Sequence, residues 1–240
     1  MHSVVDVWLV RVAKPSSLDC WRDFLDAAEQ KRLDRFSAAD AAFLFLTARV
    51  LLRNVLSRMN DVDPRDWRFS TNEFGRPFIA TPADSELVFN LSHTEGLVAC
   101  AIGRSCLVGI DAEWAERRTN VEELVSHVLH PTERLLFRGA SVKSRRELFF
   151  TYWTLKEAYL KARGLGFSLP PTSVAFDLSG HEPKITLTDE EESGPWSFRC
   201  YRPTATHHLA LAIGGASAEV DPNVRWCEIR SDGTLEVLTD

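Results

Sequence analysis

Two periods organise the hydrophobic positions of the chain. Runs rich in β-branched and aromatic residues, bounded by turn residues, predict strands at 4–12, 67–70, 87–91, 97–102, 107–113, 171–178, 184–187, 196–201 and 208–213. Apolar residues three and four positions apart predict helices at 18–35, 38–56, 121–129, 132–139 and 144–163. Ser16 or Ser17 stands where the first helix needs an N-cap. Residues 72–77 read as a turn, residues 92–96 join two strands, and Ser231-Asp232-Gly233 predicts a terminal hairpin over 226–237. Phe43, Leu44, Leu46, Val50 and Leu51 form a stripe that makes the second helix a core element.

The order of these elements repeats. Ala101-Ile102-Gly103 closes a strand in the first half, and Ala212-Ile213-Gly214 closes one in the second. Glu29 to Phe36 and Glu133 to Phe137 are similar segments, each preceding a long helix. The pattern predicts an internal duplication of two α/β halves that break near residues 103–107 and pack as one unit.

Composition narrows the class. The 240 residues are 45% hydrophobic and 26% charged, enough for one large domain or two small ones. A net charge of −6 argues against nucleic acid as the partner. The five cysteines are odd in number and form no CxxC pair, which suits a reduced, cytoplasmic protein. The N-terminus lacks the basic and apolar regions of a secretory signal. No stretch approaches the roughly 20 apolar residues of a membrane span.

The chemistry lies in two places. The helix at 144–163 is apolar around most of its girth yet carries Lys156, Glu157 and Lys161, and it stops at Gly164 and Gly166. A buried charge must be paired or must face a ligand. Glu157 and Lys161 are four apart, a spacing that a surface ion pair would also explain. In the strand at 107–113, Asp111 and Glu113 share one face, with α-carbons about 6.5–7 Å apart, close enough for their carboxylates to converge on one cation. A solvated strand face would also account for Asp-x-Glu. Gly109, however, allows a close approach by another backbone or a ligand. Glu157 would complete an oxygen site of the kind magnesium uses with diphosphates. His127, His130, His207 and His208 have no third ligand at metal spacing and read as structural.

These residues resemble a known family, the surfactin-type 4′-phosphopantetheinyl transferases. Its two signature blocks stand here as Gly109-Ile110-Asp111-Ala112-Glu113 and as Trp153-Thr154-Leu155-Lys156-Glu157 running on to Lys161. Gly164-Leu165-Gly166, Phe89-Asn90-Leu91-Ser92-His93 and Gly75-Arg76-Pro77 match as well, so the likeness runs from about Glu29 to Leu178. The resemblance implies an α/β (α+β) pseudo-dimer, with halves at 1–105 and 106–240 related by a pseudo-twofold axis. Each half would be a small, mostly antiparallel sheet packed with a long helix. The resemblance also implies a monomer that transfers 4′-phosphopantetheine from coenzyme A to a serine of an apo acyl or peptidyl carrier protein, with magnesium and release of 3′,5′-ADP. Asp111, Glu113 and Glu157 would hold the magnesium. Glu157, Lys161 and Asp111 would be catalytic. Arg32, Arg76, Asn90, Ser92, His93 and Lys161 would bind coenzyme A. Arg49 and Arg53 fall outside this transfer. A metal-dependent phosphoesterase, or a non-catalytic module that binds coenzyme A or a carrier, are the other functions the same residues allow. The role of the tail after Val220 stays open.

Overall fold

A computed structural model describes residues 5–12, 19–164, 166–187, 194–215 and 221–238. The first half runs β1 (Asp6–Arg11), α1 (Ala27–Leu33), α2 (Ala39–Met59), a hairpin of β2 (Arg68–Thr71) and β3 (Pro77–Thr81), then β4 (Leu87–Thr94) and β5 (Leu97–Arg104). The second half runs β6 (Leu107–Trp114), α3 (Val121–Val128), α4 (Pro131–Gly139), α5 (Val142–Arg163), a hairpin of β7 (Ala175–Asp177) and β8 (Lys184–Leu187), then β9 (Trp196–Thr204) and β10 (His207–Gly214). Strand order is β1-β5-β4 in one sheet and β6-β10-β9 in the other, antiparallel throughout, so the predicted duplication is written in the topology. The sheets pack face to face: Val7, Leu9, Ala99 and Ala101 of one meet Val108, Ile110, Leu209 and Leu211 of the other. Helix α2 covers the outer face of the first sheet and α5 that of the second.

The tail answers the question its sequence left open. β11 (Asn223–Ile229) and β12 (Leu235–Val237) form the predicted hairpin, and β11 joins the first sheet beside β1, in parallel. β11 and β12 therefore belong to the sheet of the first half, although the division at 106–240 counts them with the second.

The segment read as one helix over 18–35 is divided. A 3-10 stretch, Asp19–Phe24, precedes α1, whose N-cap is Asp26. Asp26 accepts from the amides of Ala28 and Glu29, and Glu29 reaches back to the Asp26 amide, a reciprocal cap that starts a new helix. Ser16 and Ser17 lie outside the described residues. Strand β4 runs on to Thr94, so Ser92 and His93 belong to a strand and not to a loop. Pro171–Ser173 is a 3-10 turn, which shortens the strand expected at 171–178.

Gly109 meets the sequence expectation of close approach. A Cβ there would lie 2.0 Å from the Ala158 carbonyl and 2.5 Å from the Ala162 nitrogen, because β6 crosses directly over α5. Gly109→Ala is expected to cost about 3 kcal/mol by forcing strand and helix apart. A denaturant midpoint equal to that of the parent would contradict this contact.

The paired histidines are structural. His207 reaches the Glu95 carbonyl at 2.7 Å and ties β10 to the β4–β5 turn. His208 is buried against Phe150, and burial, then Arg202 and His207, hold its pKa at about 3 instead of 6.5. The Glu147 carboxylate, 3.5 Å away, would favour the charged ring, but Arg202 pairs with the same carboxylate and burial prevails. As pH falls from 6.5 towards 3, the unfolded chain takes up a proton that the folded chain refuses, so stability is lost across that window. His208→Gln should flatten the acid limb of a stability–pH curve between pH 6.5 and 4, and superimposable curves would refute the assignment.

Candidate active site

Helix α5 explains how three charges survive on an apolar helix. Ser141 caps its start, and Gly164, at φ 66°, ends it in the left-handed conformation. Lys156 is fully buried and pairs at 2.8 Å with the equally buried Glu133 of α4. It also donates to the carbonyls of Pro171 and Val174. Lys161 pairs with Asp111, its Nζ 2.7 Å from Oδ1, and donates at 3.2 Å to Ser92 Oγ and the Ile110 carbonyl. Glu157 lies one turn before Lys161 and lines the cavity described below.

The seam between β4 and β6 makes room for this group. The two strands run in parallel but belong to different sheets. Asn90 Oδ1 accepts from the Ile110 amide at 2.9 Å, Ser92 Oγ from Ala112 at 3.0 Å and Thr94 Oγ1 from Trp114 at 3.2 Å. Alternate side chains of β4 thus do the work of a backbone ladder at wider spacing, and Lys161 enters at the gap. Ser92 Oγ also donates to Asp111 Oδ1 at 3.1 Å. Its hydroxyl is committed to the seam, and Ser92 does not line the cavity.

Three carboxylates strain against one another here. Burial and then Asp111 raise the pKa of Glu157. Burial and then Asp111 push Glu113 up to about 7, against the pull of Arg117 and Lys161. Asp111 Oδ2 is buried without a hydrogen-bond partner. Among the described residues no three side chains already converge as a metal cluster; Lys161 stands on Asp111, and Arg117 on Glu113 at 3.0 Å. An all-oxygen donor set, mutual repulsion and an orphaned oxygen fit a hard divalent cation.

Beside the carboxylates opens a cavity of about 460 Å³. Arg32, Arg49, Arg76, His93, Lys161 and Glu157 line it, with Phe45, Phe74, Leu160 and Leu169 as its apolar walls. His93 is held neutral by burial and then by Lys161, Arg49 and Arg32. Arg76 donates to the Ala162 carbonyl at 2.5 Å and the Val108 carbonyl at 3.3 Å, locking the β2–β3 turn onto the end of α5. Arg32 and Arg49 both lie over the Phe45 ring, at 5.1 and 5.2 Å from its centroid. Of the expected residues, Arg32, Arg76, Asn90, His93, Glu157 and Lys161 meet at the cavity, and Asp111 and Glu113 stand behind Lys161 and Glu157. Arg49 belongs with them, although the sequence reading set it aside with Arg53. The two share Glu29: Arg49, one turn after Phe45, lines the cavity with its Nε 3.3 Å from Glu29 Oε1, whereas Arg53 is fully buried with its Nη2 2.5 Å from Oε2.

The duplication supplies an internal control. Leu97 and His207 open β5 and β10, and Arg11 and Trp114 stand opposite them. This register, a shift of 103 residues (114 − 11), sets Trp8 against Asp111 and Val10 against Glu113. The same shift on the long helices sets Arg53, Asn54 and Arg58 against Lys156, Glu157 and Lys161. The buried pair Glu29–Arg53 mirrors Glu133–Lys156. Arg58 lies over the Trp8 ring, at 6.0 Å, where Lys161 meets Asp111 in the other half. The first half thus keeps the scaffold but not the carboxylates. Its edge is closed by the terminal hairpin: Asn54 donates to the Gly233 carbonyl, Arg58 to that of Leu235, and β11 pairs with β1 in the sense in which β4 runs beside β6.

A repeated α/β scaffold, open at one seam, with carboxylates behind a cationic cavity, defines a protein that handles a phosphorylated ligand. Residues 107–213 match the family model described as the 4′-phosphopantetheinyl transferase superfamily, and residues 13–104 match that of the 4′-phosphopantetheinyl transferase N-terminal region. The chain is 33% identical over 218 residues to the 4′-phosphopantetheinyl transferase HetI of a Nostoc species, covering 88% of each. It is 26% identical over 208 residues to the 4′-phosphopantetheinyl transferase Sfp of Bacillus subtilis, covering 87% of this chain and 90% of that one. Among solved structures, Thermotoga maritima holo-[acyl-carrier-protein] synthase matches 45% of this chain and 63% of its own, at 26% identity and a TM-score of 0.40. The chain belongs to the 4′-phosphopantetheinyl transferase superfamily and is an enzyme of that activity.

Proposed function

We propose that this enzyme moves 4′-phosphopantetheine from coenzyme A to a serine of an apo acyl or peptidyl carrier protein, releasing 3′,5′-ADP, and that it requires magnesium. The observation that carries the reading is the orphaned Oδ2 of Asp111, paired through Oδ1 with Lys161, which lines one cavity together with Glu157 and three arginines. Asp111, Glu113 and Glu157 would hold the magnesium. Bound there, the metal supplies charge for the diphosphate whose bond breaks. Arg32 and Arg49 face the nucleotide phosphates, and the neutral His93 offers them a hydrogen bond. Arg76 fixes the end of α5 against the cavity. Lys161 is placed to exchange its contact with Asp111 for the departing phosphate and so to neutralise the leaving group. Glu157, in its ionised form, takes the proton from the attacking serine, directly or through a water; burial and then Asp111 raise its pKa and make that form a stronger base.

A chain whose two repeats together build one cleft needs no second copy, which supports a monomer divided near residue 105. The odd number of cysteines and the lack of a CxxC pair support a cytoplasmic location. Among the described residues no helix is long and apolar enough to cross a membrane. The test is mass spectrometry of a panel of apo carrier proteins incubated with the enzyme, coenzyme A and magnesium. Gain of one phosphopantetheine per carrier is expected. Phosphate release without a carrier would favour a phosphoesterase, and coenzyme A binding without turnover a passive module.

A further inference from the structure

We propose that Arg117 is a positioning residue for Glu113, held in place by two aromatic rings and by a turn that Arg146 gathers from α5. The inference rests on the cation reading above and goes beyond its three carboxylates. Arg117 lies in the turn after β6, four residues beyond Glu113, and its Nη1 is 3.0 Å from Glu113 Oε2. Its guanidinium stands 5.2 Å from the Phe150 centroid and 5.3 Å from that of Trp153, so two residues of α5 hold the charge. The turn itself is fixed: Arg146 donates to the carbonyls of Ala115, Thr119 and Arg117. One arginine at the start of α5 thus binds three carbonyls of the segment that carries the other. The chain of contacts runs from Arg146 through the turn to Arg117, and from Arg117 to a single oxygen of Glu113.

The geometry gives Glu113 a defined orientation. With Oε2 on Arg117, Oε1 is the oxygen left for a shared cation. Arg117 is a monodentate partner held by rings, so Glu113 keeps its place without being consumed. Partners that orient a metal-binding carboxylate typically change metal affinity 10- to 100-fold when removed.

The test measures Mn2+ binding, by electron paramagnetic resonance and without coenzyme A, for the full chain and for Arg117→Met, Arg117→Lys, Glu113→Gln and the Arg117→Met/Glu113→Gln double variant. Arg117→Met should bind Mn2+ about tenfold more weakly, and Arg117→Lys, which keeps the charge, should fall in between. In the Glu113→Gln background Arg117→Met should have no further effect, because its partner is gone. A merely structural role for Arg117 would instead lower affinity equally in both backgrounds. That result, or parental affinity in Arg117→Met, overturns the proposal. Should Arg117→Met fail to fold, Arg117→Lys compared in both backgrounds decides by the same rule. A parent protein that binds no Mn2+ either alone or with coenzyme A present overturns the cation reading itself and this inference with it, whereas parental binding with unchanged variants overturns this inference alone.

Discussion

Glu157→Gln is expected to reduce carrier modification by about 10³-fold, since it removes a proton acceptor at the cleft wall and one of three proposed cation ligands. It should do so without unfolding the chain. Burial and the Asp111 charge already oppose ionisation of Glu157, so a neutral side chain of the same shape relieves repulsion that the folded state otherwise carries. Thermal stability at neutral pH should therefore stay the same or rise slightly while kcat collapses. Activity within tenfold of the parent would exclude Glu157 from the reaction. A large fall in melting temperature would show that its part is structural.

The second large effect concerns a residue with no place in the chemistry. Lys156→Met should destabilise the fold by about 3–5 kcal/mol, because it leaves the Glu133 carboxylate buried without its cation. Glu133 is not otherwise abandoned: its oxygens accept from the amides of Phe176 and His130. Glu133→Gln combined with Lys156→Met should recover part of the loss because it removes the stranded charge, and only part because the glutamine oxygen can accept from just one of the two amides. The pair also holds the cavity. Lys156 binds the carbonyl of Pro171, which lines it, so surviving Lys156→Met protein should show a raised KM for coenzyme A. Chemical denaturation of the two single variants and the double one measures the coupling, and strictly additive losses would contradict it.

The proposed carboxylates and the helix lysines stand out in the chain because each breaks a local rule, whereas Arg32, Arg76, Asn90, Ser92 and His93 come only from the family resemblance. Charges on an apolar helix and two carboxylates on one face of a strand needed a partner or a ligand, and the repeated order of elements needed a duplicated fold. What could not be read was which charge met which. Nothing in periodicity tells that Lys156 turns to Glu133 on the preceding helix, or that Lys161 leaves Glu157, one turn away, for Asp111, fifty residues back. Arg49 and Arg53 look alike in sequence and both pair with Glu29, and only packing leaves Arg49 at the cavity wall while burying Arg53. Ser92 and His93 read as a turn because the strand that holds them pairs with β5 on one side and meets β6 through side chains on the other. The tail's return to β1 is a long-range pairing with no local signature.

The division of labour between the halves follows from that topology. Both halves keep the long helix, the buried acid–base pair and the strand that crosses it. In one, the strand presents Asp111 and Glu113 to an open seam. In the other, Trp8 and Val10 take those places and β11 zips the edge shut. One scaffold thus yields one working cleft.

The central claim is that Asp111, Glu113 and Glu157 hold a cation on which transfer depends. Its most direct test is intact-mass measurement of an apo carrier protein after incubation with coenzyme A and enzyme stripped by chelation, followed by back-titration with magnesium, for the parent and for Asp111→Asn. No modification before magnesium, restoration on adding it, and no restoration in Asp111→Asn are predicted. Modification by the stripped enzyme, or by Asp111→Asn at the parental rate, would contradict the claim.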